Sequence, residues 1–162
     1  MAYSIRLYRE SDAEQLSQIA LAAITAIGSH AYTPEQVRAW YGRHGGAQMY
    51  RRRAAEGHII FVAVDGGDVA VAYALLEPDG HLDRLYNHPD HSRRGLAFRL
   101  LEQAEIHARA KGITRLYTEA SELARPAFER AGYSVQHRRD FEIEHDGTAV
   151  TIHNYAMEKL LS

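Results

Sequence analysis

The stretch HPDHSRRGLAFRLL, residues 88–101, joins a predicted strand to a long predicted helix. The strand is HLDRLYN, residues 81–87, and the helix is predicted over residues 94–111. The loop between them carries the run Arg93-Arg94-Gly95, and its amides become the first unpaired N–H donors of the helix. A helix start attracts anions, and arginine adds forked donors that suit phosphate. We therefore predict a phosphate site at this junction.

The same loop resembles the pyrophosphate-binding loop of the GCN5-related N-acetyltransferase (GNAT) family. That loop has Gln or Arg, two residues, Gly, one residue, then Gly or Ala. Here Gly95 and Ala97 match the last two fixed positions, and Ser92 stands at the first. The flanking runs LDRLYNHPDH, ASELARPAFERAGY and NYAMEKLL resemble the family's fourth strand, last helix and final strands. With YTPEQVRAWY near the N-terminus, the resemblance covers almost the whole chain.

Composition narrows the classes of protein that the chain can belong to. Its 162 residues are 46% hydrophobic and 25% charged, which is typical of one soluble globular domain over residues 1–162. A net charge of -2 predicts no nucleic-acid or membrane partner. Zero cysteines exclude a thiolate nucleophile and a cysteine zinc site. Because no apolar run resembles a signal peptide or a membrane span, we expect a cytoplasmic protein.

Hydrophobic periodicity predicts an α/β fold. Capping boxes are predicted at Ser11 with Glu14 and at Thr33 with Gln36. A buried helical stripe is predicted from Leu16, Ile19, Ala20, Ala23 and Ile27. Strands are predicted at SIRLY, HIIFVAV, VAVAYALL, HLDRLYN, ITRLYTEA, YSVQHRRDFEI and VTIHNYAMEK. The helix between HLDRLYN and ITRLYTEA makes those two strands parallel. Together with the resemblance, these elements imply a single GNAT-like domain: a mixed, mostly antiparallel sheet with a central splayed parallel pair, flanked by helices.

The predicted ligand cleft lies where the two parallel strands end. In an open α/β sheet, ligands bind beyond the carboxyl ends of the strands, here residues 86–87 and 120–121. The resemblance implies acetyl-CoA as co-substrate, with its pyrophosphate on the amides of residues 92–97 and its pantetheine paired with the backbone of residues 85–87. The coenzyme-binding residues so implied are Leu85, Tyr86, Asn87, Ser92, Arg93, Arg94, Gly95, Leu96, Ala97, Ser121 and Phe128.

The resemblance also implies an N-acetyltransferase that moves acetyl directly to a primary amine of a small molecule or peptide in a ternary complex. An alkyl amine is mostly protonated at neutral pH, so a base is required. Asp83 is the first candidate, Glu119 the second and His81 the third. The alternative for Asp83 is a solvated edge residue or an ion-pair partner of Arg84.

The protonation of the leaving thiolate is open at this stage. Family members often use a Tyr on the last helix, and the matching residue here is Phe128, which carries no proton to donate. Tyr117, Tyr133, a water or an unassisted thiolate are the substitutes. The Phe128 and Ser92 departures motivate the alternative function, a non-catalytic acyl-CoA-binding or sensing module.

The remaining candidates concern the acceptor, metals and partners. Tyr32 and Trp40 are predicted to shape the acceptor pocket together with His30 and Tyr41, or to be plain core. No metal is expected, because the loop around Pro89 explains His88, Asp90 and His91. The triplet Arg51-Arg52-Arg53 is interpreted as a solvated helix side. The resemblance also implies a homodimer as one expected state, since family members often dimerise.

Overall fold

The computed structural model describes residues 2–162, except for the side chain of Ile27, so the predicted burial of that side chain lies outside the described part. One sheet runs through the molecule in the order β1-β2-β3-β4-β5-β7-β6. The strands are β1 (Ser4–Leu7), β2 (Ile59–Val64), β3 (Ala70–Leu76), β4 (His81–Asn87), β5 (Arg115–Ala120), β6 (Ser134–His145) and β7 (Thr148–Leu160). The helices are α1 (Ala13–Gly28), α2 (Pro34–Gly42), α3 (Gly46–Ala55), α4 (Leu96–Ala110) and α5 (Arg125–Arg130).

The sheet is mixed, as predicted. Strands β4 and β5 are parallel, and the other neighbouring pairs in the sheet are antiparallel. The crossover between the parallel strands is α4, which packs against β2, β3 and β4. Strand β3 is buried along its whole length because helices cover both faces of the sheet at that point.

Two hydrophobic cores lie on opposite faces of the sheet. On one face, Leu96, Leu100 and Ala104 of α4 pack on Phe61 and Leu82. On the other, the predicted stripe of α1 contributes Leu16, Ile19 and Ala20, which pack with Tyr50 of α3 and Tyr73 of β3. A third cluster joins Tyr32 and Ala39 to the β6–β7 hairpin. The hairpin thus closes over α2 and provides the last wall of the site.

Of the two predicted capping boxes, the one at α2 is present and the one at α1 is not. The Thr33 hydroxyl accepts the Gln36 N–H and the Gln36 side chain accepts the Thr33 N–H, as the capping box predicted. At the first helix the cap is not Ser11. A 3-10 turn, Glu10–Asp12, precedes α1, and the Asp12 carboxylate accepts the N–H of Arg9 at 2.7 Å. Asp12 directly precedes α1, and its carboxylate also pairs with Arg6.

No helix within residues 2–162 combines the length and the apolar character needed to cross a membrane.

Candidate active site

The two parallel strands separate soon after they meet. The β4–β5 ladder has two residue pairs, His81 with Tyr117 and Leu82 with Thr118. Beyond them a cavity of about 450 Å³ opens, which is within the size range of small-molecule sites. Its walls come from β4, β5, the helices α1 and α2 with the loops that follow them, α5 and the β6–β7 hairpin. The predicted cleft between the strand ends is therefore present.

A β-bulge in β4 turns two consecutive side chains toward the cavity. Leu75 of β3 pairs with Arg84 and Leu76 pairs with Leu82, so Asp83 is the extra residue of β4. Consecutive strand residues normally point to opposite faces, and a bulge re-aims them. Asp83 and Arg84 consequently both line the cavity.

An ion-pair network surrounds the two predicted bases. Arg53 donates to Asp83 Oδ2 at 2.9 Å and to Glu77 Oε2 at 2.9 Å. His81 bridges Glu77 Oε2 (3.0 Å) and Glu119 Oε1 (2.7 Å). Burial alone would lower the pKa of His81, but the hydrogen bonds and charges of Glu119 and Glu77 outweigh it and raise the pKa to about 9. His81 is therefore an imidazolium at neutral pH, and both Asp83 and Glu119 line the cavity beside a cation.

Two readings of this region need correction. The partner of Asp83 is Arg53, not Arg84. Arg53 lies on α3 with 15% of its side chain exposed, so it is not part of a solvated helix side. Its neighbours fit that description better: Arg51 pairs with Glu14 and Arg52 with Glu56, near the surface.

Metal-ligand atoms do converge at one point of this network. Ligand atoms of Glu77, His81 and Asp83 lie within 4.8 Å of one another. The Arg53 guanidinium donates to both carboxylates, and its charge would repel a bound cation.

The two histidines of the loop after β4 make hydrogen bonds within the protein. His88 Nδ1 accepts the N–H of Asp90, and His91 Nδ1 hydrogen-bonds the Tyr3 hydroxyl at 2.8 Å.

The start of α4 is open. Gly95 precedes it with φ of 74°, and Arg93 is also left-handed with φ of 60°. No hydrogen bond from the N–H groups of residues 93–98 to another part of residues 2–162 is present. A Cβ at Gly95 would meet no atom within 4 Å. Free N–H donors and the positive end of the helix dipole therefore face outward.

The residues predicted to bind the coenzyme fall into two groups. Leu85, Tyr86, Ser121 and Phe128 line the cavity. Asn87 and the loop of residues 92–97 lie outside its lining, at the end of β4 and the start of α4, with Leu96 buried beneath the loop and Ser92 donating to the carbonyl of Pro89. The Oδ1 atom of Asn87 is buried and has no hydrogen-bond partner within residues 2–162.

The two tyrosine hydroxyls considered as proton donors for the thiolate lie outside the cavity lining. Phe128 is 2% exposed, and its ring packs edge-on to Tyr133 at 5.1 Å. Neither Tyr117 nor Tyr133 lines the cavity. The Tyr117 hydroxyl donates to Asp79 in the β3–β4 turn, which, with burial, raises its pKa to about 12. Burial likewise raises the pKa of Tyr133. Both hydroxyls therefore lie outside the cavity lining, and the substitution of either tyrosine for Phe128 stays a prediction.

Two of the four predicted acceptor residues line the cavity and two do not. Tyr32 and Trp40 both line the cavity, with their rings 5.6 Å apart. His30 and Tyr41 are exposed and lie outside its lining.

Sequence reasoning missed a histidine–carboxylate pair in the hairpin wall. His153 of β7 lines the cavity, and its Nε2 lies 2.7 Å from Glu122 Oε2. The Tyr155 hydroxyl donates to the same oxygen at 2.9 Å. Chiefly because of the hydrogen bond from His153, the pKa of Glu122 is lowered to about 2. The pair is separated by 31 positions in the sequence, and no local motif signals it.

A second missed contact involves Arg84. Its Nη1 donates to His44 Nδ1 at 2.7 Å and to the Tyr50 hydroxyl at 3.3 Å. Burial, and then the charge of Arg84, lower the pKa of His44 to about 4, so His44 is a neutral acceptor at physiological pH.

Comparison with known proteins gives one consistent result. Residues 29–158 match the family described as acetyltransferase (GNAT) domain. The chain is 29% identical over 133 residues to an uncharacterized N-acetyltransferase, YafP, of Escherichia coli (strain K12), covering 80% of this chain and 79% of that protein.

Solved structures agree with that match. A protein from Rhodopseudomonas palustris, described as GCN5-related N-acetyltransferase: Aminotransferase, Class-II, superposes with a TM-score of 0.85 at 28% identity, covering 99% of this chain and 97% of that one. The PaiA N-acetyltransferase of Thermoplasma acidophilum, solved with coenzyme A, has the same fold, with a TM-score of 0.77 at 19% identity and 99% coverage of each chain.

Proposed function

Because the chain belongs to the GNAT family of N-acetyltransferases, we propose that residues 1–162 act as one domain that transfers acetyl from acetyl-CoA to a primary amine of a small molecule or peptide. Transfer is direct, within a ternary complex. The observation that carries the proposal is the split between β4 and β5, which has two carboxylates on its walls and an open helix start beside it.

The coenzyme occupies the two groups of residues described above. The edge of β4 that faces β5 has no strand partner beyond Leu82, so the backbone of residues 85–87 is free to pair with the pantetheine amides. The pyrophosphate lies on the amides of residues 92–97, and Arg93 and Arg94 add positive charge. The coenzyme complex of the Thermoplasma acidophilum protein supports this choice of ligand.

Two side chains close the inner part of the coenzyme site. Ser121 accepts the N–H of Ala124 through its hydroxyl, which leaves the hydroxyl proton for the pantetheine. Phe128 supplies a buried apolar surface for the thioester end. Both residues line the cavity, which supports these roles.

Asp83 is the proposed general base and Glu119 the second candidate. Each uses one carboxylate oxygen for its cationic neighbour, Arg53 or His81, and has the other oxygen available. The acceptor ammonium loses a proton to the carboxylate, directly or through water. The amine nitrogen then attacks the thioester carbon, and the collapse of the tetrahedral intermediate breaks the C–S bond and releases CoA thiolate. The nitrogen loses its second proton to water, which gives the neutral amide.

The thiolate leaves without a tyrosine acid in this proposal. Phe128 is the residue at the family's acid position, and the hydroxyls of Tyr117 and Tyr133 are outside the cavity. A free thiol has a pKa near ~8.5, so the thiolate is a competent leaving group and takes its proton from water. Tyr32 and Trp40 hold the acceptor on the helix side of the cavity.

Turnover with defined variants tests the proposal. We expect thiol release from acetyl-CoA with at least one member of an amine panel. Asp83→Asn should lower kcat at neutral pH by about 10²-fold or more while CoA affinity is nearly unchanged. Glu77→Gln is the matched control, because it removes a charge from the same network but does not line the cavity.

The alternative is a non-catalytic acyl-CoA-binding or sensing module, favoured by the absence of a hydroxyl on Phe128. Acetyl-CoA binding without thiol release with any amine would support that module. An Asp83→Asn variant with wild-type kinetics would remove Asp83 from the base role and move the test to Glu119→Gln.

A further inference from the structure

Arg84 is a half-buried cation whose partners are neutral. Its guanidinium donates to His44 and Tyr50, and its central carbon lies 5.7 Å from the centroid of the Tyr50 ring. Within residues 2–162 it forms no ion pair with a carboxylate. A charge removed from water is stabilised mainly by an opposite charge or by several hydrogen bonds. Arg84 thus lines the cavity without a carboxylate partner among the described residues.

The acidic side chains of the same cavity form ion pairs with other cations and none with Arg84. Asp83 is paired with Arg53, and Glu119 is paired with the imidazolium of His81. At the β-bulge, the cavity wall therefore has the Arg84 guanidinium, which has no carboxylate partner, next in sequence to the Asp83 carboxylate, which is paired with Arg53.

Two further arginines add positive charge to the cavity. Arg43 and Arg139 line the cavity, with their guanidinium carbons 5.9 and 5.4 Å from the centroid of the Phe141 ring. Arg139 donates to Asn154 Oδ1 at 3.0 Å, and neither arginine is paired with a carboxylate in the described part of the chain. Their positive charge attracts an anion to the cavity.

We infer that the acetyl acceptor is a small-molecule amine that also bears a carboxylate, and that Arg84 binds this carboxylate while the ammonium lies beside Asp83. The inference rests on the transferase function proposed above and specifies its substrate class. The order of charges along the wall, cation at Arg84 and anion at Asp83, is complementary to a molecule with a carboxylate at one end and an ammonium at the other. Arginine suits the task because its planar fork matches a carboxylate.

Matched pairs of acceptors test the inference. Thiol release is measured with amino acids and their primary amides, such as glycine with glycinamide and phenylalanine with phenylalaninamide. We expect kcat/KM for the acids to exceed that for the amides by about 10- to 100-fold, the usual effect of a hydrogen bond to a charged group. An amide lowers the pKa of the neighbouring amine and so favours the amide chemically, which makes a preference for the acid diagnostic.

Arg84→Gln should raise KM for the acids by about 10- to 100-fold and leave the amides within a few-fold of wild type. A purely structural role would lower both classes together, so the acid-to-amide ratio separates the two explanations. Arg138→Gln, outside the cavity lining, is the control, and CoA calorimetry with thermal unfolding checks that each variant is folded.

Equal use of acids and amides by the wild type, or an equal loss of both in Arg84→Gln, would overturn the inference. If no amine of the panel gave thiol release, the transferase proposal itself would be contradicted. In that event, calorimetry of glycine and phenylalanine with the CoA-loaded protein decides the carboxylate site. Binding that is lost in Arg84→Gln supports the site, and no binding to the wild type rejects it.

Discussion

The hydroxyl of Thr118 donates to the backbone carbonyl of Leu82 at 2.7 Å, at the last residue pair between β4 and β5. Both residues are buried. A buried carbonyl without a partner is costly, and a ladder that stops inside a protein leaves such groups behind. The Thr118 hydroxyl replaces the missing backbone donor, so the two strands can separate and open the cavity.

Thr118→Val tests this replacement, since valine keeps the shape and removes the donor. We expect the free energy of unfolding in urea to fall by about 1–3 kcal/mol, the cost of an unsatisfied buried group. Thr114→Val is the control at an exposed position near the start of β5, and its expected change is within about 0.5 kcal/mol. Equal stability of the two variants would show that the hydroxyl of Thr118 is dispensable at the split.

Gly80 holds the closed end of the same strand pair. It has φ of 104°, its carbonyl accepts the N–H of Tyr117, and a Cβ there would overlap the carbonyl oxygen of Arg115. Gly80→Ala should therefore destabilise the protein by about 2–4 kcal/mol. Gly112→Ala has a similar left-handed strain but open space around the new methyl group, and should cost about 1 kcal/mol. Chemical denaturation of both variants checks the difference; similar losses would mean that backbone strain alone sets the cost.

His81 makes stability depend on pH in the alkaline range. Its folded pKa of about 9 lies above the ordinary 6.5, so the stabilisation is complete below pH 6.5 and is lost as pH rises through 9. We expect on the order of 1–2 kcal/mol between pH 6.5 and 9.5, after allowance for solvent screening. Urea unfolding of His81→Gln should lack this loss, whereas exposed His137→Gln should retain it. A loss of the same size in His81→Gln would assign the pH dependence to another group.

Arg94 is predicted to contribute charge to coenzyme binding. It is exposed and has no ion-pair partner within residues 2–162, next to the open start of α4. Arg94→Gln should weaken CoA binding by about 3- to 10-fold at low salt, and by less as salt screens the interaction. Calorimetry at two ionic strengths measures this. Arg52→Gln, on the surface of α3, should bind CoA like the wild type. Unchanged affinity in Arg94→Gln would exclude Arg94 from the anion site.

Local signals in the sequence were sufficient for most of the fold. Residues 81–87 form the predicted strand, which begins after the turn at residues 77–80 and ends before Pro89. The helix α4 follows from the spacing of Leu96, Leu100 and Ala104, and the β6–β7 turn falls at the predicted Asp146-Gly147.

Contacts distant in sequence explain what was missed. The helix α3 begins at a glycine and carries three consecutive arginines, so its apolar pattern is weak. Arg53 meets its partners 24 and 30 positions away, and His153 meets Glu122 across the hairpin. Such pairs depend on how the elements pack, which neither propensity nor periodicity encodes.

Amide chemical shifts of the protein titrated with CoA test the central claim most directly, that the coenzyme lies in the split between β4 and β5. The account predicts the largest shift changes at residues 83–87, 93–97 and 119–121. Saturating CoA that leaves all three segments unchanged, or that perturbs only residues remote from them, would contradict it.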